Sequence, residues 1–160
     1  MRLSSHELCS WHDAILVHIL PTPCTFALVA LLALPAASAE RYSGVVTRVV
    51  DGHTLILRYL QQHISVQLDD IDAPEAGEPY ARRSAQSLAQ LCGRRRVTVT
   101  VNGSDDYGRV VGEVQCNGIN ANEEQLRRGM ATVEPDAGRP TWLRLQHEAQ
   151  VTHRGLWSGR

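Results

Sequence analysis

The chain has 160 residues, enough for one domain and a leader. Sixteen arginines stand against 17 acidic residues, the formal net charge is −1, and there is no lysine. That balance excludes the strongly basic coat of a non-specific nucleic-acid binder, although a small local cationic site remains open.

Thr25 to Leu34 is an apolar run, and Ala37-Ser38-Ala39 after it is a small-x-small cleavage site. We expect residues 1–39 to be a signal peptide cut before Glu40, leaving a domain at 40–160. The run is too short to span a bilayer as a mature helix, so no membrane attachment is expected after cleavage. An uncleaved anchor is the alternative. Cleavage places the protein in the periplasm or the medium. Two cysteines, Cys92 and Cys116, survive it. In an oxidising compartment they favour a disulfide over two buried thiols.

Tyr42 to Val50 reads as a strand, Asp51-Gly52-His53 as a turn, and Thr54 to Tyr59 as a second strand. Gln61 to His63 is a polar connection to a third strand, Ile64 to Leu68. Glu78-Pro79 opens a helix whose apolar face is Ala81, Ala85, Leu88, Ala89 and Cys92, with Gly93 at its end. A fourth strand spans Arg96 to Val101, and Asn102 to Asp105 turns the chain. A fifth spans Arg109 to Cys116. Asn122 to Gln125 resembles a capping box, and Gly129 closes that short helix. Glu134 to Pro140 is loop. A last helix covers Thr141 to His153, with Trp142, Leu145 and Ala149 on one face. Five short strands with helices after the third and fifth fit an α+β architecture, a five-stranded OB-type barrel with three helices.

The chemistry concentrates in two places. A strand runs into Ile71-Asp72-Ala73-Pro74-Glu75, which puts two carboxylates just past a strand end with Pro74 fixing the turn. Carboxylates on a rigid turn suit a hard cation or a general base. Asp106-Tyr107-Gly108-Arg109 adds a cation for a phosphate. Together they point to metal-assisted phosphodiester chemistry. Asp70 could add a carboxylate, because a regular strand would place it on the same face as Asp72. Tyr107 is expected to pack beside its turn.

These motifs, taken in order from Tyr42 to Trp157, resemble the staphylococcal nuclease (thermonuclease-like) family. The segments that carry the resemblance are Val49 to Leu55, Leu68 to Glu75, Asp106 to Arg109, Asn122 to Ala131, and Arg154 to Trp157. The resemblance implies a five-stranded OB barrel and a calcium-dependent phosphodiesterase acting on DNA and RNA, with no stable protein partner and a monomeric state. It assigns Asp72 and the carbonyl of Ala73 to the metal, Asp51 to the metal's outer shell, Glu75 to the base that activates water, and Arg109 to the phosphate. Two positions depart from the pattern. His53 stands where the family has its first metal aspartate, and Gln67 where it has a second arginine. Imidazole suits Mn²⁺ or Zn²⁺ better than Ca²⁺. Gln67 donates a hydrogen bond without charge. A metal-dependent nuclease of reduced activity is therefore expected. The alternative is an inactive OB module that binds nucleic acid or another ligand at the same face.

Overall fold

The structure, a computed structural model, describes residues 39–159. The leader expected over residues 1–39 lies outside them but for its last residue. Eight strands and three α-helices follow: β1 (Arg41–Val49), β2 (Thr54–Tyr59), β3 (Gln62–Leu68), β4 (Ile71–Asp72), α1 (Ala81–Cys92), β5 (Arg96–Ser104), β6 (Val110–Cys116), β7 (Ile119–Asn120), α2 (Ala121–Arg127), β8 (Thr132–Val133) and α3 (Pro140–Val151). A 3-10 turn, Gly155–Trp157, comes last. No helix among the described residues is long and apolar enough to cross a membrane.

The sheet order is β3-β2-β1-β5-β6-β7, and a parallel pairing of β3 with β6 closes β1, β2, β3, β5 and β6 into a barrel. Alternation decides what fills it. Leu55 and Leu57, Val66 and Leu68, Val97 and Val99, and Val114 point inward and are fully buried. The residues between them face outward. The expected five-stranded OB-type barrel with three helices is the observed fold.

Several boundaries differ from the sequence reading, each for a local reason. The β2–β3 turn is Leu60-Gln61, both left-handed at φ 44° and 67°, so β3 starts at Gln62 rather than Ile64. Two bulky residues there gave no turn signal. Helix α1 begins at Ala81, because Tyr80 is left-handed at φ 71° and cuts it from the Glu78-Pro79 turn. Its buried face is Ser84, Ser87, Leu88, Leu91 and Cys92, so Ala89 is exposed and two serines are inside. Strand β5 runs on to Ser104 through an irregularity between Val101 and Gly103, and the expected turn moves to Asp105–Arg109.

The N-cap of α2 is Asn120, whose side chain accepts from the Glu123 N–H, and not Asn122. Gly129 ends α2 as expected, at φ 65°. The Gly129 N–H donates to the Leu126 carbonyl at 2.9 Å, and the Met130 N–H to the Gln125 carbonyl at 2.8 Å. A disulfide joins Cys92 at the end of α1 to Cys116 at the end of β6, with Cα atoms 5.3 Å apart. Closing a loop of this size stabilises a domain by about 3 kcal/mol.

Candidate active site at the barrel rim

The β1–β2 turn, the end of β3 that leads to β4, and the start of β6 come to one end of the barrel, and the candidate residues lie on or next to these segments. The β1–β2 turn is self-capped: Asp51 Oδ1 accepts the His53 N–H at 2.9 Å, and His53 Nδ1 sits 3.4 Å from the same oxygen. The His53 carbonyl continues the ladder by accepting the Leu68 N–H at 2.7 Å. Thr54 lies directly across from Gln67 in the antiparallel register, and Gln67 pairs in parallel with Val111. Because Val66 and Leu68 point in, Gln67 and Thr54 face out of the barrel. Along β6, Val114 and Cys116 point in, so Val111 shares the outer face with Gln67, and Arg109 stands just before the strand.

Buried polar side chains from the helices hold this rim. Gln125 Nε2 donates to the Gly52 carbonyl at 2.7 Å and to the Ser84 carbonyl at 3.2 Å. Ser84 Oγ donates to the Met130 carbonyl at 2.6 Å. Asn122 Nδ2 donates to the Asp69 carbonyl at 2.9 Å, and its Oδ1 accepts the Val114 N–H at 3.1 Å. Gly52 is packed so closely that a Cβ there would collide with Ser84 Oγ and press on the Ala73 Cβ. The turn bearing Asp51 and His53 is therefore seated against the Ala73 segment. The sequence signal for this scaffold was faint: polar residues three apart on a short helix, in positions that otherwise take leucine.

Asp72 and Glu75 stand on the next segment. Strand β4 pairs with β8, Ile71 opposite Val133 and Asp72 opposite Thr132, which fixes the Asp72 backbone. Asp72 is exposed. Glu75 is exposed too, and its N–H donates to Glu78 Oε2 at 2.8 Å while its carbonyl accepts the Glu78 N–H at 3.0 Å. No acidic residue lies in the first turn of α1, so Glu75 does not serve as that helix's acid. Its carboxylate makes no bond among the described residues.

Asp70 does not act as the extra ligand the sequence suggested. It is left-handed at φ 59°, which breaks the strand between Leu68 and Ile71, and its carboxylate is paired with Arg139 Nε at 2.5 Å. Asp69 Oδ2 accepts from Asn102 Nδ2 at 2.5 Å. Sequence reasoning missed Glu134, an acid directly after β8. Burial, followed by the charges of Asp70, Asp69 and Asp72, pushes its carboxyl above the usual value, and His53 pulls it back. The rim therefore carries crowded negative charge.

Arg109 is organised by its own loop. Asp105 Oδ1 accepts the N–H groups of Tyr107 and Arg109, each at 2.9 Å, and its Oδ2 accepts Arg109 Nε at 2.5 Å. Burial acts to raise the Asp105 carboxyl, but the Arg109 and Tyr107 bonds outweigh it and hold the group below the usual 3.8. The two Nη groups of Arg109 are left for a ligand. Tyr107 does not pack beside the turn. It is 86% exposed, with the Arg109 guanidinium 5.6 Å from its ring centroid, because the tight loop turns the ring outward.

The molecule is thus a small OB-type barrel domain with an arginine, an exposed glutamate and crowded acidic residues at one rim. The family model described as staphylococcal nuclease homologue matches residues 65–159. A micrococcal nuclease of Shigella flexneri is 36% identical over 144 residues, covering 82% of each chain. Protein ParB of Escherichia coli is 35% identical over 144 residues, covering 82% of this chain and 81% of that one. An uncharacterized endonuclease of Escherichia coli is 38% identical over 117 residues, covering 72% and 76%. The chain belongs to the staphylococcal nuclease family.

That family is generally calcium-dependent. Calcium takes about 6–8 oxygen ligands. Here Asp51 commits Oδ1 to its own turn. His53 offers nitrogen, and its Nδ1 is buried without a hydrogen bond among the described residues. Among the described residues no three His, Cys, Asp or Glu side chains form a group that could hold a metal. Asp72, the Ala73 carbonyl, Asp51 and His53 do not fit the all-oxygen calcium site that the resemblance implies.

Proposed function

We propose that this protein is a nuclease that hydrolyses phosphodiester bonds of DNA or RNA in flexible single strands, at a rate below that of members with the full family pattern. The observation that carries the reading is Glu75. Its carboxylate is exposed and unbonded, on a turn fixed by Pro74 on one side and Glu78 on the other. Such a group can take the proton from a water attacking phosphorus, a role worth about 10²- to 10⁴-fold in rate. Arg109 presents its Nη groups to the phosphoryl oxygens while Asp105 holds its Nε, so the cation is aimed before substrate arrives. Gln67, paired with Val111 near the start of β6, donates one neutral hydrogen bond to that phosphate. Tyr107 offers an exposed ring on which a neighbouring base can stack.

The lower rate follows from Gln67 and His53. Losing one charged donor to a developing oxyanion costs about 10²- to 10³-fold. Export to the periplasm or the medium belongs to the proposal and is supported by the Cys92–Cys116 disulfide, which persists in oxidising compartments. So do monomeric action on the nucleic acid and dependence on a divalent ion, Ca²⁺ by the family resemblance or Mn²⁺ or Zn²⁺ because of His53.

The test is cleavage of single-stranded DNA and RNA by the purified protein in Ca²⁺, Mn²⁺, Zn²⁺ and EDTA, with Glu75→Gln as the matched control. Cleavage that falls by about 10²-fold or more in Glu75→Gln supports the reading. Cleavage that is indifferent to that substitution removes Glu75 from the mechanism. A parent protein that binds single strands and cleaves in no metal is the inactive module instead, a reading that His53 and Gln67 favour.

A further inference from the structure

The outer face of α1 carries a feature that the rim does not use. Its sequence, Ala-Arg-Arg-Ser-Ala-Gln-Ser-Leu-Ala-Gln-Leu-Cys, contains no acid. Opposite its buried face, Arg82, Arg83, Gln86 and Gln90 line one exposed stripe. Two adjoining grooves follow that stripe. One, of about 550 Å³, lies between the Glu78–Tyr80 turn and Arg82, Arg83 and Gln86. The next, of about 500 Å³, continues past Gln86 and Gln90 to Arg128 and Arg154.

The stripe also reaches the site. Arg82 lines a third, smaller cavity together with Asp51 and Pro74, so the groove begins beside the rim. Most cations near the rim are already committed: Arg139 to Asp70 and Glu113, Arg109 to Asp105, Arg128 to Glu124. Arg82 makes no hydrogen bond or ion pair among the described residues. Among the described residues Arg83 is engaged only through the face of Tyr80, 5.1 Å from the ring centroid. Tyr80 is itself held in place, its hydroxyl 2.5 Å from Ser158 Oγ.

We propose that this face of α1 is a track for single-stranded nucleic acid leading away from the rim, with Arg82 and Arg83 contacting phosphates and Gln86 and Gln90 continuing the contact. A groove with cations on one wall and an anchored aromatic at its mouth is the arrangement that follows a flexible strand without reading its sequence. From Arg82 to Gln90 the helix rises about 12 Å. That accommodates about three stacked nucleotides at about 3.4 Å each. The placement of the scissile bond at the rim rests on the nuclease reading above, but binding along α1 does not.

Two measurements on the purified protein test this and keep the two readings apart. The first is equilibrium binding of a fluorescent 12-nucleotide single strand in EDTA, across a salt series, for the parent and for Arg82→Gln/Arg83→Gln. The double variant is expected to bind at least fivefold more weakly, with the slope of log K against log salt reduced by about 1.4. Unchanged affinity and slope in a variant that melts like the parent overturn the track, as does a parent that binds no single strand. The second is kcat/KM on oligonucleotides of increasing length. The parent is expected to gain at least tenfold between two and eight nucleotides, and the double variant to lose that gain while cleaving the dinucleotide as before. A gain that survives in the variant also overturns the track. A parent that cleaves nothing at any length refutes the nuclease reading alone, and the binding series then decides the track.

Discussion

The Arg109 loop and the rest of the rim are built in contrasting ways. The loop is made by five consecutive residues: one carboxylate, Asp105, gathers two N–H groups and a guanidinium from Tyr107 and Arg109. The rest of the rim is made by residues far apart in the chain. Gln125 reaches the Gly52 carbonyl from 73 residues away, and Asn122 reaches the Asp69 carbonyl from 53. Within the loop the Asp105 carboxylate is matched by the Arg109 guanidinium. The rest of the rim is not so matched, with Glu134 pressed by three aspartates and with buried polar atoms of His53, Thr54 and Gln67 that have no hydrogen bond among the described residues. A locally built element keeps its chemistry when one neighbour changes. A rim assembled from distant parts can keep its backbone while its side chains drift from the pattern.

The sharpest way to break that comparison is to restore the rim. His53→Asp combined with Gln67→Arg returns both departing positions to the family pattern on an otherwise intact scaffold. The expected result is a rise in cleavage of about 10²-fold or more in calcium, the size of one regained charged donor. The measurement is initial rate on single-stranded DNA for the parent, each single change and the pair. A pair no faster than the parent places the fault elsewhere on the rim, with Glu134 the first suspect.

Next in size is the scaffold. Gln125→Leu removes the donor to the Gly52 carbonyl and leaves that buried acceptor without it, at a cost of about 1–3 kcal/mol. Thermal unfolding should show a lower Tm, and cleavage should fall with it, because Asp51 and His53 ride on that turn. A Tm equal to the parent's would mean that the turn is held by its own Asp51 bond and that the rim is as local as the loop.

The same contrast explains what could be read before the structure. Alternation of Leu55 and Leu57 and of Val97 and Val99 marks strand faces, and the barrel followed from it. The Asp-Tyr-Gly-Arg segment was legible as a motif that carries Arg109, but its geometry was not, because the turn was expected at Asn102 to Asp105 and the carboxylate that gathers the loop is Asp105. The roles of Asn122, Gln125 and Ser84 were not legible, because each bonds a carbonyl in a segment that only the closed barrel brings near. Asn122 looked like a helix cap and is instead a clamp on Asp69 and Val114. Asp70 looked like a ligand because strand alternation was assumed through it. Its left-handed backbone and its pairing with Arg139, which comes from 69 residues away, are tertiary facts.

The smallest expected effect is also the one that separates the two regions by sign. Glu134 has its carboxyl raised by burial and by Asp70, Asp69 and Asp72, so the native state holds its proton more tightly than the unfolded chain does. Its charge is a cost to the fold above the raised value, and the cost is relieved as pH falls. Asp105 has its carboxyl lowered by its bonds to Arg109 and Tyr107, which outweigh its burial. Its contribution is present above the ordinary value of 3.8 and is lost as pH falls through the depressed one. Removing each charge should therefore move Tm in opposite directions at pH 7: Glu134→Gln up by roughly 2 °C, Asp105→Asn down. The Glu134→Gln gain should vanish below its ordinary value of 4.5. The Asp105→Asn loss should persist there and fade only in stronger acid. Melting curves in EDTA at low ionic strength, where surface charge is least screened, read both. A Glu134→Gln protein that melts lower than the parent at pH 7 would show that the rim's acids are compensated after all, and the contrast between the two regions would be one of assembly and not of charge.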